Sequence, residues 1–250
     1  MLRHLGNNRT AQHNLKLAMM LGLTAGFVNA AGFLGFAVLT TNVTGHAALF
    51  AERVALQDWK TAKVVALWMV LFFAGAFISS LIVSMAKKSQ RSSYVIPVIV
   101  EILILATTAL YGNLYQGNLL IKELFAGSLL FAMGMQNSLV SIISGSVVRT
   151  THLTGTFTDL GIELAQWVSN KKMEHNDLRS RIKLRLYIIC SFMAGAISGA
   201  YLFRLWRFHS FFIPACLLCL ALIYDVLRVK VKHYYHVKSA AFKKAIHPAG

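Results

Sequence analysis

The sequence has few charged residues and very few acidic ones. Of its 250 residues, 14% are charged, whereas about 25% is usual in a soluble domain. Only 9 are Asp or Glu, against 25 Lys and Arg. This scarcity of charge argues against a soluble globular domain. Because 56% of the residues are apolar and the mean hydropathy is +0.58, we expect a chain built mainly from membrane-spanning segments.

The sequence also lacks the motifs of several enzyme classes. It has no P-loop, no G-x-S-x-G and no dinucleotide fingerprint, which argues against ATP-driven transport by this chain and against a membrane enzyme. Its 3 cysteines, Cys190, Cys216 and Cys219, all lie in apolar runs. No His-x-x-x-His or mixed Cys and His cluster is present. We therefore predict no disulfide framework, no metal site and no cofactor.

Long apolar runs dominate what is there. Six of them approach the ~20 residues needed to cross a bilayer core as a helix. Two further apolar stretches, residues 44–56 and 154–169, are too short to span at ~1.5 Å per residue, so we predict a short broken or re-entrant helix at each. The predicted spans are residues 15–38, 61–85, 94–111, 119–143, 182–203 and 211–227.

The pattern T-T-x-x-T-G occurs twice, at residues 40–45 and 150–155. Three other matches follow the same order with similar offsets, which indicates an internal duplication. They pair residues 26–29 with 134–137, 73–76 with 193–196, and 93–97 with 210–214. We therefore predict two repeats, residues 15–118 and 119–229, between a basic N-terminus (1–14) and a basic tail (230–250). Each repeat holds three spans and one short helix, and because three is odd the second repeat is inverted.

The basic residues fall between the apolar runs. With the N-terminus inside, the inner segments carry 19 of the 25 Lys and Arg residues and the outer segments carry 6. This bias predicts that both termini are cytoplasmic. It also accounts for the positive charge without nucleic-acid binding. Inverted repeats are typical of secondary transporters, with the site between the repeats.

The two T-T-x-x-T-G segments are the candidate solute site. A short helix beginning at Thr44 or Thr154 would present free N–H groups and a partial positive charge, which suits an anion, and Arg149 would add charge beside the second segment. Alternatively, both segments are capped interfacial loops whose hydroxyls satisfy the backbone. The candidate solute-binding residues are Asn29, Thr40, Thr41, Thr44, Gly45, Gln136, Asn137, Arg149, Thr150, Thr151, Thr154 and Gly155.

Asn29, Gln136 and Asn137 place amide side chains inside spans one and four. An amide in a span must be paired or face the protein interior. These amides therefore either contact solute in a cavity, or pair with each other or with neighbouring backbone.

Three acidic residues are candidates for proton coupling. Glu101 lies inside span three, where a carboxylate indicates function by default; alternatively it pairs with a Lys or Arg near the inner surface. Asp159 and Glu163 are four residues apart and share a face of the second short helix. They either neutralise Arg149 or form a proton site.

The segments at residues 26–30, 133–137 and 149–156 resemble the YoaK-like bacterial membrane proteins, a family with a domain of unknown function. The resemblance extends over about residues 15–230. It implies a bacterial inner-membrane protein of about six spans that is presumed to be a transporter. The broken segments are also distantly similar to the uracil and sulfate permease architecture, a likeness of fold that gives no substrate.

We therefore expect an all-α membrane protein with six transmembrane helices and two short broken or re-entrant helices in an inverted 3+3 repeat. The expected function is secondary transport of a small polar or anionic solute, with proton coupling as an option, in the bacterial inner membrane. The expected partners are the lipid bilayer, the solute and, for a two-sided vestibule, a second copy in a homodimer. The alternatives are a membrane scaffold or regulator and, less favoured, a channel.

Overall fold

The protein is described by a computed structural model over residues 11–85, 94–115, 118–145, 148, 151–169 and 175–225. All regular secondary structure in these residues is helical. The α-helices are α1 (Ala11–Phe36), α2 (Val43–Ala55), α3 (Trp59–Met85), α4 (Val95–Tyr111), α5 (Leu119–Ser144), α6 (Leu153–Ser169), α7 (His175–Trp206) and α8 (212–225). Two 3₁₀ turns, Gly112–Tyr115 and Arg207–Phe211, follow α4 and α7.

Within the described ranges, five segments are long and apolar enough to cross a membrane, so the chain is a multi-pass helical membrane protein. Four of them correspond to α1, α3, α4 and α5. The fifth, Leu178–Asp225, is 48 residues long and includes the 3₁₀ turn Arg207–Phe211. The helix boundaries agree with the predicted spans to within a few residues, except that α7 begins at His175 instead of residue 182.

Two crossed helix pairs form the centre of the fold. α1 packs most extensively on α7, and α3 on α5; α2 then packs on α3, and α6 on α7. The buried side chains are largely aliphatic, while α3 directs a row of large apolar side chains outward, including Phe73, Phe77 and Met85. Such a row is expected of a helix face in contact with lipid.

Glycines bring α1 and α7 into backbone contact. A Cβ added at Gly26 would overlap the carbonyl oxygen of Phe192, and one at Gly195 would overlap the carbonyl oxygen of Leu23. Small residues allow this close approach, which in a bilayer provides the van der Waals contact that holds helices together.

The α3–α5 pair is built in the same way. A Cβ at Gly134 would overlap the carbonyl oxygen of Phe72, and one at Gly75 would overlap the carbonyl oxygen of Phe131. The contacting residues of the two pairs are equivalent in the repeat. Residues of α1 and α5 differ by 108 positions, and residues of α3 and α7 differ by 120, which are the offsets of the sequence matches.

This packing corrects one sequence-based suggestion. From the sequence alone, Gly22 and Gly26 in span one and the small residues around Gly195 in span five suggest a surface for contact between two copies of the chain. Instead, Gly22 and Gly26 of α1 lie against α7, and Gly195 and Gly199 of α7 lie against α1. These glycines are therefore buried within one chain and are not available to a second copy.

Phenylalanines pack together where α1 and α7 end. Phe36 stacks on Phe125 of α5 with ring centroids 5.8 Å apart, and it lies 4.9 Å from Phe208 in the second 3₁₀ turn. Phe208 in turn contacts Phe203 and Phe211. We call these five residues the phenylalanine cluster. The Phe36–Phe125 stack joins one crossed pair to the other, because α1 belongs to the first and α5 to the second.

Candidate functional site

A cavity of about 370 Å³ lies between the two T-T-x-x-T-G segments. This is within the usual range for small-molecule sites, about 300–1,000 Å³. Two residues of α5 and one of α3 complete its wall. The lining residues are Thr41, Asn42, Val43, Thr44, Phe72, Asn137, Ser141, Thr151, His152, Leu153 and Thr154.

The first segment forms the start of α2. This helix begins at Val43, one residue before the predicted Thr44, and its N-cap is Asn42. The Asn42 side chain accepts a hydrogen bond from the Gly45 N–H at 2.9 Å. A Cβ at Gly45 would lie only 2.8 Å from the Asn42 amide nitrogen. The glycine of the motif therefore lets the capping side chain fold over the first turn.

The second segment repeats this arrangement at the start of α6. The helix begins at Leu153, and His152 occupies the position equivalent to Asn42. A Cβ at Gly155 would overlap the His152 ring, so this glycine leaves room for that ring beside the first turn. Both the N–H and the hydroxyl of Thr156 donate to the His152 carbonyl oxygen, at 3.0 and 2.9 Å.

Asparagines hold each segment against its preceding span. The Thr41 N–H donates to Asn29 Oδ1 at 3.1 Å, and the Thr151 hydroxyl donates to Asn137 Oδ1 at 2.7 Å. Each amide therefore pairs within its own repeat. Asn29 pairs with neighbouring backbone, whereas Asn137 pairs with a side-chain hydroxyl. Asn137 also lines the cavity, so its position fits both interpretations.

Five predicted solute-binding residues line the cavity: Thr41, Thr44, Asn137, Thr151 and Thr154. Gly45 and Gly155 are adjacent and shape the helix starts. Arg149 and Thr150 lie outside the described residues. The sequence reasoning did not select Asn42 and His152, which occupy variable positions of the motif, or Phe72 and Ser141. Ser141 was recoverable in principle, since it follows Asn137 by one helical turn.

Gln136 and Thr40 are buried away from the cavity lining. Gln136 Nε2 donates to the Leu21 carbonyl oxygen of α1 at 2.9 Å, and both residues are fully buried. This bond ties α5 to α1. The Thr40 hydroxyl is also buried, and no described residue is its hydrogen-bond partner.

The acidic candidates lie apart from the cavity. Glu101 is 1% exposed, on the buried face of α4, and within the described part of the chain its Oε1 has no hydrogen-bond partner. Asp159 pairs with Arg185 of α7 at 2.9 Å, and Glu163 lies 3.8 Å from Arg181 and 3.9 Å from Arg185. Burial raises the pKa of Glu163, while the two arginines oppose that rise. These ion pairs fasten α6 to α7.

The cavity wall offers mainly hydrogen-bond donors. Val43 and Thr44 form the first turn of α2, and Leu153 and Thr154 form that of α6, so their N–H groups have no carbonyl partner within the helix. All four line the cavity. None of the described lining residues carries a carboxylate. The wall therefore combines two partial positive charges with neutral polar side chains.

Thr41 and Asn137 provide two further donors. Thr41 is 9% exposed and lines the cavity, so its hydroxyl is a donor at the wall. The Oδ1 of Asn137 is occupied by Thr151, which leaves the amide nitrogen as the group it can present to a solute. The described residues contain no group of three His, Cys, Asp or Glu side chains placed to share a metal ion.

Comparison with known proteins agrees with this architecture. The family described as "Protein of unknown function (DUF1275)" matches residues 17–224, which is most of the chain. The chain belongs to this family. It is also 27% identical, over 207 residues, to the UPF0700 transmembrane protein YoaK of Bacillus subtilis (strain 168), a match that covers 78% of this chain and 89% of that protein. The resemblance to YoaK-like membrane proteins is thereby confirmed. No solved structure matches the chain.

Proposed function

We propose that the protein is a secondary transporter that binds a small polar or anionic solute between its two T-T-x-x-T-G segments. One observation carries the proposal: both short helices begin at the wall of a single cavity. Free N–H groups and the helix dipole make such helix ends favourable for anions and for polar oxygen atoms. Opposed half-helices at a central site are a recurring feature of transporters.

We propose that the chain crosses the membrane six times. As one helix the segment Leu178–Asp225 would extend about 72 Å, more than twice the ~30 Å bilayer core. The 3₁₀ turn Arg207–Phe211 divides it into α7 and α8, and we assign one crossing to each. α2 and α6 then become re-entrant helices, because each starts at the interior cavity and packs on the next span.

Paired contacts support an inverted repeat. The contact of Gly26 with Phe192 corresponds to that of Gly134 with Phe72 after exchange of the two repeats. The same exchange relates the asparagine bonds to Thr41 and Thr151, and the left-handed residues Ala37 and Gly145 that end α1 and α5, with φ of 57° and 63°. Correspondence of packing, hydrogen bonding and backbone conformation is what a pseudo-two-fold axis produces.

We assign the cavity to the cytoplasmic side. Along α5 it extends from Asn137 to Ser141, toward the C-terminal end of that helix. The distribution of Lys and Arg places that end inside. The phenylalanine cluster supports closure at the other end, since Phe125 lies about 18 Å along α5 from Asn137.

The cavity favours transport over the competing functions. A scaffold or regulator would be expected to have a dry, packed interior at the two segments, whereas a polar cavity lies there. A channel would require a continuous opening, and the stacked rings of Phe36 and Phe125 connect the two crossed pairs at the opposite end. We therefore rank transport first.

Glu101 is the proposed proton-coupling residue. It is a fully buried carboxyl in a span, and its Oε1 has no hydrogen-bond partner among the residues that the structure describes. Asp159 and Glu163 remain the second candidates, although both are within ion-pair distance of arginines of α7. Replacing Glu101 with Gln should abolish uptake driven by a pH gradient while leaving solute binding in place. Unchanged pH-driven uptake would exclude this role.

We also propose a homodimer, because six spans are few to enclose a vestibule that opens to both sides of the membrane. The α1 and α7 glycines are occupied within the chain, so a second copy would use another face. The mass of the purified protein in detergent, measured by light scattering, checks this: a monomer at all concentrations would contradict it.

A ligand-stability screen tests the proposed site. The purified protein would be heated with inorganic anions, carboxylates and neutral polar metabolites, and a ligand at about 100 times its Kd should stabilise the folded state by about 2.7 kcal/mol. Thr41→Val should reduce that gain, because it removes a donor from the cavity wall. Thr107→Val is the matched control, since Thr107 is exposed on α4 and bonds only its own helix. Equal gains in both variants would place the site elsewhere.

A further inference from the structure

The cavity is lined unevenly by the two crossed helix pairs. Both motif segments contribute to it, but the span residues come only from α3 and α5: Phe72, Asn137 and Ser141. Their counterparts by the repeat offsets are Phe192, Asn29 and Phe33. None of these three lines the cavity. We call them the counterpart set.

Two members of the counterpart set, Phe192 and Asn29, make contacts within the protein. Phe192 is 6% exposed within the α1–α7 pair, whereas Phe72 reaches the cavity from the α3–α5 pair. Asn29 Oδ1 accepts the Thr41 N–H, just as Asn137 Oδ1 accepts from Thr151. Each asparagine oxygen thus accepts from the threonine at the matching motif position, from its N–H in the first repeat and from its hydroxyl in the second. Only Phe72 and Asn137 of these two pairs line the cavity.

We propose that the counterpart set, Asn29, Phe33 and Phe192, forms the wall of the solute site when the cavity opens to the opposite side of the membrane. This inference rests on the proposed transport function and adds to it the residues that bind solute in the second state. The starts of α2 and α6 would remain at the site in both states, so a solute stays bound to the same N–H groups while the side walls exchange.

The internal symmetry gives the physical reason. The two crossed pairs, α1–α7 and α3–α5, make the same backbone contacts through equivalent glycines. Exchanging their environments therefore replaces each contact with one of similar kind, so the two states differ little in free energy. A small difference is the condition for a solute to shift the population between them.

The exchange also changes the chemistry of the wall. Ser141 supplies a hydroxyl on the present side, whereas its counterpart Phe33 supplies an aromatic ring. The amide is kept, since Asn29 replaces Asn137. The oppositely open site should therefore bind a polar solute less tightly, which would favour its release on that side or uptake at high outside concentration.

Opening that side requires the rings of Phe36 and Phe125 to separate. They stack with centroids 5.8 Å apart and connect α1 to α5. Removing the stack destabilises the present state relative to the open one. Because an aromatic pair contributes modestly, the population of the opposite state should rise about threefold to tenfold.

Cysteine accessibility tests the inference with a symmetric pair of probes. Phe72→Cys and Phe192→Cys would each be placed in a background in which Cys190, Cys216 and Cys219 are replaced by Ser. Both probes leave the backbone carbonyl that packs on glycine unchanged. A membrane-impermeant thiol reagent would be applied to sealed vesicles of either orientation. Phe72→Cys should react from the cytoplasmic side, and Phe192→Cys should react slowly.

Phe125→Ala should then change the two rates in opposite directions. Labelling of Phe192→Cys from the outer side should rise about threefold or more, and labelling of Phe72→Cys should fall. Phe125→Leu, which keeps apolar volume without the ring, serves if the alanine variant does not fold. Leu103→Cys is the control for reagent that reaches a cysteine from the lipid. Leu103 is 57% exposed on α4, and this variant should stay unlabelled.

Two results would overturn the inference. Phe192→Cys could stay unreactive in every background, or both probes could become more reactive together, which indicates loosening instead of exchange. The ligand-stability screen separates these from failure of the proposed function. Solute-dependent stabilisation with an inert Phe192→Cys would leave a one-sided binding site and refute only the second wall.

Discussion

Alanine substitution of the four crossing glycines tests the packing most sharply. A Cβ at Gly26, Gly75 or Gly134 would lie 2.9 Å from the carbonyl carbon it faces, and one at Gly195 would lie 2.8 Å away. Ordinary contact begins at 3.4 Å, and the carbonyl oxygens lie nearer still. Because the obstructing atoms are backbone, the helices must move apart as units.

The expected cost follows from two opposing terms. Overpacking typically costs about 1–3 kcal/mol, and a rigid backbone partner places these sites at the upper end. Alanine returns about 0.5–1 kcal/mol through its better helix propensity. We therefore expect each variant to lose about 2 kcal/mol. Gly161→Ala is the control, since a Cβ there meets nothing within 4 Å, and it should gain about 0.5–1 kcal/mol.

Thermal unfolding in one detergent at one scan rate would measure these effects. For a chain of this size about 1 kcal/mol corresponds to about 2–4 °C, so Gly134→Ala should melt roughly 5–12 °C below Gly161→Ala. By symmetry, Gly26→Ala should fall by a similar amount to Gly134→Ala. If all these variants melted within a degree or two of Gly161→Ala, the close crossing of the helices would be refuted.

Two other substitutions have a defined direction. Ala37 ends α1 with a φ of 57°, which costs an L-residue about 1–2 kcal/mol, so Ala37→Gly should raise the melting temperature by a few degrees, whereas Gly145→Ala should lower it. Asp58 lies outside the spans and receives a hydrogen bond from Thr61, which lowers its pKa. The stability that the ionised Asp58 contributes is thus present above the ordinary pKa and is lost as the pH falls through the lowered pKa. Asp58→Asn should therefore flatten the decrease in melting temperature on the acid side. An unchanged decrease would contradict this.

The positions of the helices were accessible from the sequence because hydropathy and repetition are properties of the chain alone. Apolar runs predicted the bounds of the long helices to within a few residues, apart from the start of α7. The two copies of one motif predicted where the short helices begin. The start of α2 at Val43 was missed by one residue. The reason is that Asn42, in a variable position of the motif, is the side chain that bonds Gly45.

Which side chains face the cavity was harder to predict from the sequence, since this depends on packing between helices that are distant in the chain. Gln136 was selected for its polarity, yet its position on α5 directs it to the Leu21 carbonyl oxygen. Asn137 is the next residue and faces the cavity, because successive helical positions point about 100° apart. Phe72 carries no polar signal at all. It reaches the cavity because Gly134 allows α3 to approach α5.

Solute uptake tests most directly whether the cavity between the two segments is the transport site. The solute selected by the ligand-stability screen would be followed into proteoliposomes containing the wild-type protein, Thr154→Val or Thr158→Val. Thr154 lines the cavity, whereas Thr158 is exposed one turn further along α6. If the cavity is the transport site, uptake should be saturable. Thr154→Val should reduce it strongly, and Thr158→Val should leave it near the wild-type rate. Uptake that both variants support equally, or its absence with a solute that binds at the cavity, would contradict this assignment.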